Sequence, residues 1–357
     1  MTHCVHYGIC GGCAVDDRNA IDKFGRLKNA LARAGFLTAP VAKLVATPLG
    51  TRRRVDLGVT RRGAELALGL HQARGAEVVD MQECVLLRPE ILHLLPPLRG
   101  LLRHLEALRR AGSVIINWLD NGADILLRLD VPFTGPDRTK IIAFARAQNV
   151  LRISIATGTD EPEPAIMLAP PVISFAGVKI EPTPGAFLQA SAEGEAAMVA
   201  AVLAGLPKLT KKSCIVELFA GSGTLSFPLA QHARVEAYEG HAAAVAAQDK
   251  AIRSQSLAGR MSIALRDLHR RPLQPAEMAG RAALVLDPPF SGAAAQMRFL
   301  IAANVPRVIY VSCNPDALAN DATQLHRAGY TVLNATPIDQ FPFSENVESV
   351  VVFGKGK

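Results

Sequence analysis

The order of apolar and polar positions changes character near residue 185. Upstream, short runs with strand-like alternation at 54–60, 114–118, 124–129 and 151–155 surround one stretch of helical periodicity, residues 90–110. Its exposed face is expected to carry Arg99, Arg103, Arg109 and Arg110, and the whole region reads as an α+β domain. Downstream, apolar segments at 214–219, 234–239, 261–265, 282–287 and 308–311 alternate with helical patterns, as in an open sheet of mostly parallel strands. The last two strands, 331–338 and 347–353, leave no room for a helix between them, so the final strand should run antiparallel in a seven-stranded sheet. Prolines 162, 164, 170, 171, 182 and 184 mark the linker between the two patterns. Before both, Cys and Gly crowd the first thirteen residues and 22–35 reads as a helix ended by Gly35. The expected organisation is a cysteine knuckle with its helix over 1–40, a central α+β domain over 41–175, and a Rossmann-like α/β domain over 185–357.

Composition narrows the class. At 357 residues the chain exceeds what one hydrophobic core usually organises. Hydrophobic residues make up 49%, but charges or prolines interrupt every apolar run before the ~18 residues a membrane span requires. The first residues, Met1 to Cys4, show neither a basic n-region nor an apolar h-region, so a cytoplasmic protein without membrane association is expected. Six cysteines in that setting point to metal ligation or catalysis rather than disulfides. A net charge of +7 favours a polyanionic partner, while the 5% aromatic content argues against a long single-strand stacking platform.

Residues 216–224, Val-Glu-Leu-Phe-Ala-Gly-Ser-Gly-Thr, form a strand running into a glycine turn that opens a helix. Gly221 and Gly223 let backbone approach a flat ligand, and Phe219 ends the strand. The third glycine of a dinucleotide fingerprint is missing, which counts against a nicotinamide cofactor. The next strand ends in Glu239, where a carboxylate can accept from both hydroxyls of a ribose, and Asp287 closes the fourth strand in Leu-Asp-Pro-Pro. These side chains should converge beyond the carboxyl ends of the strands, where open parallel sheets bind ligands. Cys313, in Val-Ser-Cys-Asn-Pro, ends a strand on the same rim just before a helix. A thiol there is either a small buried hydrophobe or a nucleophile whose pKa the helix terminus lowers.

In the knuckle, Cys4, Cys10 and Cys13 need a fourth ligand to complete a tetrahedral or cubane site, and Cys84 is the uncommitted candidate. Four thiolates suit zinc and iron–sulfur alike. Arg52-Arg53-Arg54, Arg61-Arg62 and the basic helix face are candidate phosphate contacts.

The segment from Tyr310 to Pro315 resembles the catalytic signature of the RNA uracil-5-methyltransferase family, and further motifs follow the family order. Phe187-Leu188-Gln189 is similar to its cofactor-binding segment, Glu217 to Thr224 to its glycine motif, Leu286 to Pro289 to its strand-four motif, and Phe341-Pro342 through Val347-Glu348 to its general-base motif. The resemblance implies S-adenosylmethionine as methyl donor, held by Gln189, Phe219, Gly221, Gly223, Glu239 and Asp287. It further implies methylation of carbon 5 of a flipped or looped uridine in structured ribosomal or transfer RNA, with Cys313 adding to carbon 6 and Glu348 removing the proton from carbon 5. It also favours a [4Fe-4S] cluster over zinc on Cys4, Cys10, Cys13 and Cys84. A monomer with no obligate protein partner and no N-terminal β-barrel RNA-binding module is expected.

Three residues depart from the family pattern: Ser191 where asparagine is common, Phe290 where a basic residue is common, and Asn346 where histidine is frequent. Two other readings compete. An RNA cytosine-5-methyltransferase would share the covalent thiol strategy, and a non-catalytic iron–sulfur RNA-binding protein would keep the knuckle without needing Cys313 and Glu348 together.

Overall fold

The computed structural model describes residues 4–355, so the first three residues, read above for export signals, lie outside it. Helix α1 (Lys23–Arg33) and the two-residue strand β1 (Val45–Ala46) come first. The central domain follows as β2 (Arg54–Arg62), β3 (Glu65–Gly69), α2 (Pro89–Arg103), β4 (Ala111–Leu119), β5 (Gly122–Leu129), α3 (Gly135–Ala147), β6 (Arg152–Thr157) and β7 (Glu163–Met167). Its sheet runs β3-β2-β4-β5-β6-β7, antiparallel except where α3 crosses from β5 to β6. Alternate residues, among them Val55, Leu57, Val114, Ile116, Ile125, Leu127 and Ile153, bury one face in a core shared with α2 and α3. On the opposite face Arg152 pairs with Asp124 and donates to the Pro182 carbonyl, and the Asn117 amide donates to the Ala186 carbonyl. These bonds tie the proline-rich stretch to the central sheet. That stretch is not a bare linker: it holds β7 and the hairpin β8 (Ile173–Phe175) and β9 (Val178–Ile180).

The third region comprises α4 (Ala192–Ala204), β10 (Cys214–Leu218), α5 (Ser226–Ala230), β11 (Arg234–Glu239), α6 (Ala242–Ser254), β12 (Met261–Leu265), α7 (Pro275–Met278), β13 (Ala283–Leu286), α8 (Ala294–Ala303), β14 (Arg307–Ser312), α9 (Pro315–Arg327), β15 (Tyr330–Asp339) and β16 (Glu348–Lys355). The sheet has eight strands rather than the expected seven, in the order β1-β15-β16-β14-β13-β10-β11-β12. The extra one is β1, which pairs in parallel through Val45 with Ile338 and Ala46 with Asp339. Two residues carry no periodicity, which is why the pattern of the chain hides it. The last strand, β16, is antiparallel to both neighbours, as the short connection requires. Chain order reverses between β10 and β13, so the ligand crevice opens there. Helix α1 packs its buried Leu27, Ala30 and Leu31 onto this region, in a core shared with Leu318 and Leu325 of α9 and with Phe353.

The basic clusters need correction. Arg99 is buried rather than on an exposed helix face, pairing with Asp80 and donating to the Met81 carbonyl. Helix α2 stops at Arg103, so Arg109 and Arg110 lie in the turn into β4, where both backbone N–H groups donate to Asp130. Arg53 is buried against Glu195 of α4, and Arg61 donates to the carbonyls of Leu102 and Leu105. Long cationic side chains at domain seams read in the sequence like solvated ones, because their charge says nothing of their partners.

Candidate functional site

Strand β10 delivers the glycine turn. Phe219, Gly221 and Gly223 all sit at positive φ, +63°, +55° and +95°. A Cβ at Gly223 would stand 2.4 Å from the Phe227 ring, so only glycine lets the turn close on α5. A Cβ at Gly221 would meet open space, which leaves that backbone free for close approach by a ligand. The Glu239 carboxylate, at the end of β11, accepts from the Gly221 N–H at 2.8 Å and the His241 N–H at 2.7 Å. The Gln248 amide donates to the Gly221 carbonyl at 2.9 Å. The turn is therefore fixed before any ligand arrives.

These elements wall a cavity of about 630 Å³, within the range of small-molecule sites. Gln189, Phe219, Gly221, Glu239, Asp287, Cys313 and Glu348 all line it. Of the expected cofactor and catalytic residues, Gly223 alone is absent from the wall, since it packs beneath the turn. Ser191 is not part of the wall; it caps α4 by accepting from the Gly194 N–H at 3.0 Å.

The end of the β14–β16 ladder builds one corner of the wall. Ser312 stands opposite Ser349 in the last pair, and Cys313 and Glu348 follow directly beyond it, both on the cavity wall. Glu348 is only 4% exposed. One carboxylate oxygen accepts from the Gln340 amide at 2.9 Å, and that amide also donates to the Gln189 side chain at 2.8 Å. The other oxygen, Oε1, is buried with no partner. Burial, then the nearby Asp287 charge, raises Glu348 above the usual carboxylate range, and burial raises Asp287 too.

A further carboxylate of the wall is not among the expected site residues. Glu217 in β10 is 2% exposed with Oε2 unpartnered, and burial followed by the charges of Asp287 and Glu239 pushes it up to about 8. Its signal in the sequence is an acid inside an otherwise apolar strand. Gln340, which bridges Gln189 and Glu348, has no comparable signal, because it lies in a loop without periodicity. The turn at Arg266–His269 also reaches the wall, with His269 against the Phe219 ring at 5.8 Å between centroids.

The thiol corrects the expectation of a lowered pKa. Burial, then the charges of Glu348 and Asp287, pushes Cys313 up to about 12. The first N–H groups of α9 do not compensate, because the Asn314 side chain takes them, accepting from Asp316 at 3.0 Å and Ala317 at 3.4 Å. The resting thiol is therefore neutral.

Cys4, Cys10, Cys13 and Cys84 surround a second cavity, also lined by Arg52 and Phe343. Burial and the proximity of the other thiols push Cys13 up to about 12. Among the described residues, no three His, Cys, Asp or Glu side chains converge as the ligands of a metal ion. The cavity measures about 40 Å³, more than the roughly 10–15 Å³ that one water-sized occupant needs. Arg52 lines both this cavity and the larger one.

A mostly parallel sheet with a glycine turn, an acidic strand end and a carboxylate-rich rim at its switch point defines the α/β methyltransferase class. Residues 275–356 match the family model described as tRNA (uracil-5-)-methyltransferase. The chain is 35% identical to a protein of Brucella suis biovar 1 described as an uncharacterized RNA methyltransferase, over 99% of this chain and 84% of that one. A protein of Mesorhizobium japonicum with the same description is also 35% identical, over 99% and 84% of the two chains. The fold matches the crystal structure of Pyrococcus abyssi tRNA (uracil-54, C5)-methyltransferase in complex with S-adenosyl-L-homocysteine. The TM-score is 0.70 at 17% identity, covering 93% of this chain and 81% of that one. The chain belongs to the RNA (uracil-5-)-methyltransferase family, enzymes that methylate RNA from S-adenosylmethionine. Among the described residues no helix is long and apolar enough to cross a membrane.

Proposed function

We propose that the chain methylates carbon 5 of one uridine in ribosomal or transfer RNA, with Cys313 as nucleophile and Glu348 as base. The observation that carries this reading is that Cys313 and Glu348, a buried carboxylate with one unpartnered oxygen, line the same cavity just beyond the last pair of the β14–β16 ladder. S-adenosylmethionine, when bound, supplies an electrophilic methyl group beside this corner. Gly221 and Glu239 suit its nucleoside, and Gln189, Phe219 and Asp287 line the rest of its wall.

Carbon 5 of uracil is a poor nucleophile on its own. Bond formation between Cys313 Sγ and carbon 6 pushes the ring electrons toward the carbon 4 carbonyl as an enolate, and carbon 5 then has the electron pair to accept the methyl group. The neutral resting thiol is an off state: as the bond to carbon 6 forms, its proton passes to solvent, and the Glu348 carboxylate stays free for its later step. After transfer, Glu348 takes the proton from carbon 5, the ring double bond reforms and Sγ departs. A raised pKa makes Glu348, once ionised, a stronger base for that carbon acid than an exposed carboxylate would be. The uridine must leave its stack to reach Cys313, at a cost of a few kcal/mol.

For the second cavity, Cys4, Cys10, Cys13 and Cys84 would hold a [4Fe-4S] cluster. The four cysteines line one cavity, and four thiolates are the donor set such a cluster takes. The methyl transfer itself is polar and needs no electron.

Labelled methyl donor with RNA lacking the modification tests the reading. Wild-type protein is expected to place label in 5-methyluridine, and Cys313→Ala to place none while still binding S-adenosylhomocysteine. Label in 5-methylcytidine would sink the proposal, and so would retained activity of the variant.

A further inference from the structure

The loop 340–347 joins β15 to β16 and presents Gln340 and Glu348 to the reactive corner. The N-terminal segment, which lies far away in sequence, holds this loop at several points. Phe343 takes a left-handed conformation at φ +63°, costly for an aromatic residue, and is buried. Its carbonyl accepts from the N–H groups of Ala14 at 2.7 Å and Val15 at 3.2 Å, directly after Cys13. Lys23 of α1 is 2% exposed; its ammonium pairs with Asp339 and donates to the Phe341 carbonyl at 2.7 Å. Arg18 pairs with Asp339 at 2.7 Å, and Arg26 reaches Glu345 at 2.9 Å. The Asp339 carbonyl is held in turn by the Thr47 hydroxyl at 2.7 Å.

A buried ion pair is a poor way to gain stability, because well-packed apolar side chains of similar volume often do as well or better. What Lys23 provides that a leucine cannot is direction. Its ammonium fixes the Asp339 side chain and the Phe341 carbonyl, one on each side of Gln340, and Gln340 donates to Glu348 at 2.9 Å.

We propose that Lys23 is a positioning residue for Glu348: it clamps both flanks of Gln340 so that the Gln340 amide holds the Glu348 carboxylate in line with the carbon 5 proton. This rests on the reading of Glu348 as the base. Proton removal is the step that depends on the clamp, whereas RNA binding and addition of Cys313 do not. An intermediate bonded to Sγ and already carrying its methyl group therefore waits longer when the clamp is loosened.

The test is steady-state methylation of unmodified RNA by Lys23→Met, with Glu348→Gln run beside it. Lys23→Met is expected to lower kcat about 10- to 100-fold, the scale of a misplaced catalytic group, with KM for RNA and affinity for S-adenosylhomocysteine unchanged. Both variants are expected to accumulate a denaturant-stable RNA–protein adduct. Lys23→Arg, which keeps a cation, should recover most of the rate. Should Lys23→Met fold poorly, Lys23→Met/Asp339→Asn removes both charges together and is expected to show the same slow adduct. Turnover by the lysine variants without adduct, while Glu348→Gln traps it, overturns the clamp alone. Absence of adduct from Glu348→Gln overturns the base and the clamp with it. Loss of rate that tracks loss of RNA affinity also overturns the clamp, since a merely structural lysine would behave that way.

Discussion

Glu217, Asp287 and Glu348 bring three buried carboxyl groups to the cavity that Cys313 also lines, and burial raises each above the ordinary carboxylate range. For Glu217, raised to about 8 from an ordinary value of 4.5, the folded state keeps its proton across that interval while the unfolded chain gives it up. Bound protons then favour the folded state, so stability contributed at Glu217 is full at low pH and declines as pH rises from about 4.5 to about 8. Thermal melts of the ligand-free protein should therefore show a downward trend over that range which flattens in Glu217→Gln. Equal slopes for the two proteins would mean that Glu217 is ionised in the fold. At this scale the sequence was informative about which side chains meet. Cys313, Glu239, Asp287 and Glu348 were legible because each stands at the end of a strand, where the fold class alone fixes the rim. Their protonation was not legible, since it depends on burial and on charges brought from other strands. The cysteine expected to be acidified by its helix is instead raised by burial and by the Glu348 and Asp287 charges, while Asn314 occupies the N–H groups that would have acted against them.

Among the elements, the pairing of β14 with β16 matters most, because it brings Cys313 and Glu348 to one corner. The antiparallel end of the sheet followed from the short connection between the last strands, and with it the meeting of the two residues. Basic residues were the weakest part of the sequence reading. The run from Arg52 to Arg54 looks uniform, yet its members have three environments. Arg52 lines both cavities, Arg53 is buried against Glu195, and Arg54 lies over the exposed Phe187 ring at 5.3 Å. Arg53→Met would leave the Glu195 carboxylate buried and unpaired between the central domain and α4. Denaturant unfolding should then show a loss of about 3 kcal/mol, with the salt dependence of RNA binding unchanged. A flatter salt dependence with intact stability would instead make Arg53 a phosphate contact.

At the scale of the whole molecule, the N-terminal segment is woven into the methyltransferase sheet rather than standing apart with the cysteines. Strand β1 extends the sheet, α1 packs on α9, and residues 14–26 hold the loop that carries Gln340. None of this shows in the chain's periodicity, because two-residue strands, single backbone bonds and long-range lysine contacts leave no repeating pattern. The central domain and the α/β domain were legible because their patterns run for many residues. The proposed reaction turns on one bond, between Cys313 and carbon 6 of a uridine. RNA in which 5-fluorouridine replaces uridine tests that bond most directly, since fluorine on carbon 5 cannot be removed as a proton and the adduct has no way to resolve. With methyl donor present, the expected result is a denaturant-stable complex whose nuclease and protease digestion leaves a methylated fluorouridine on the peptide containing Cys313. No adduct, or one mapped to Cys214 or a knuckle cysteine, would contradict the account.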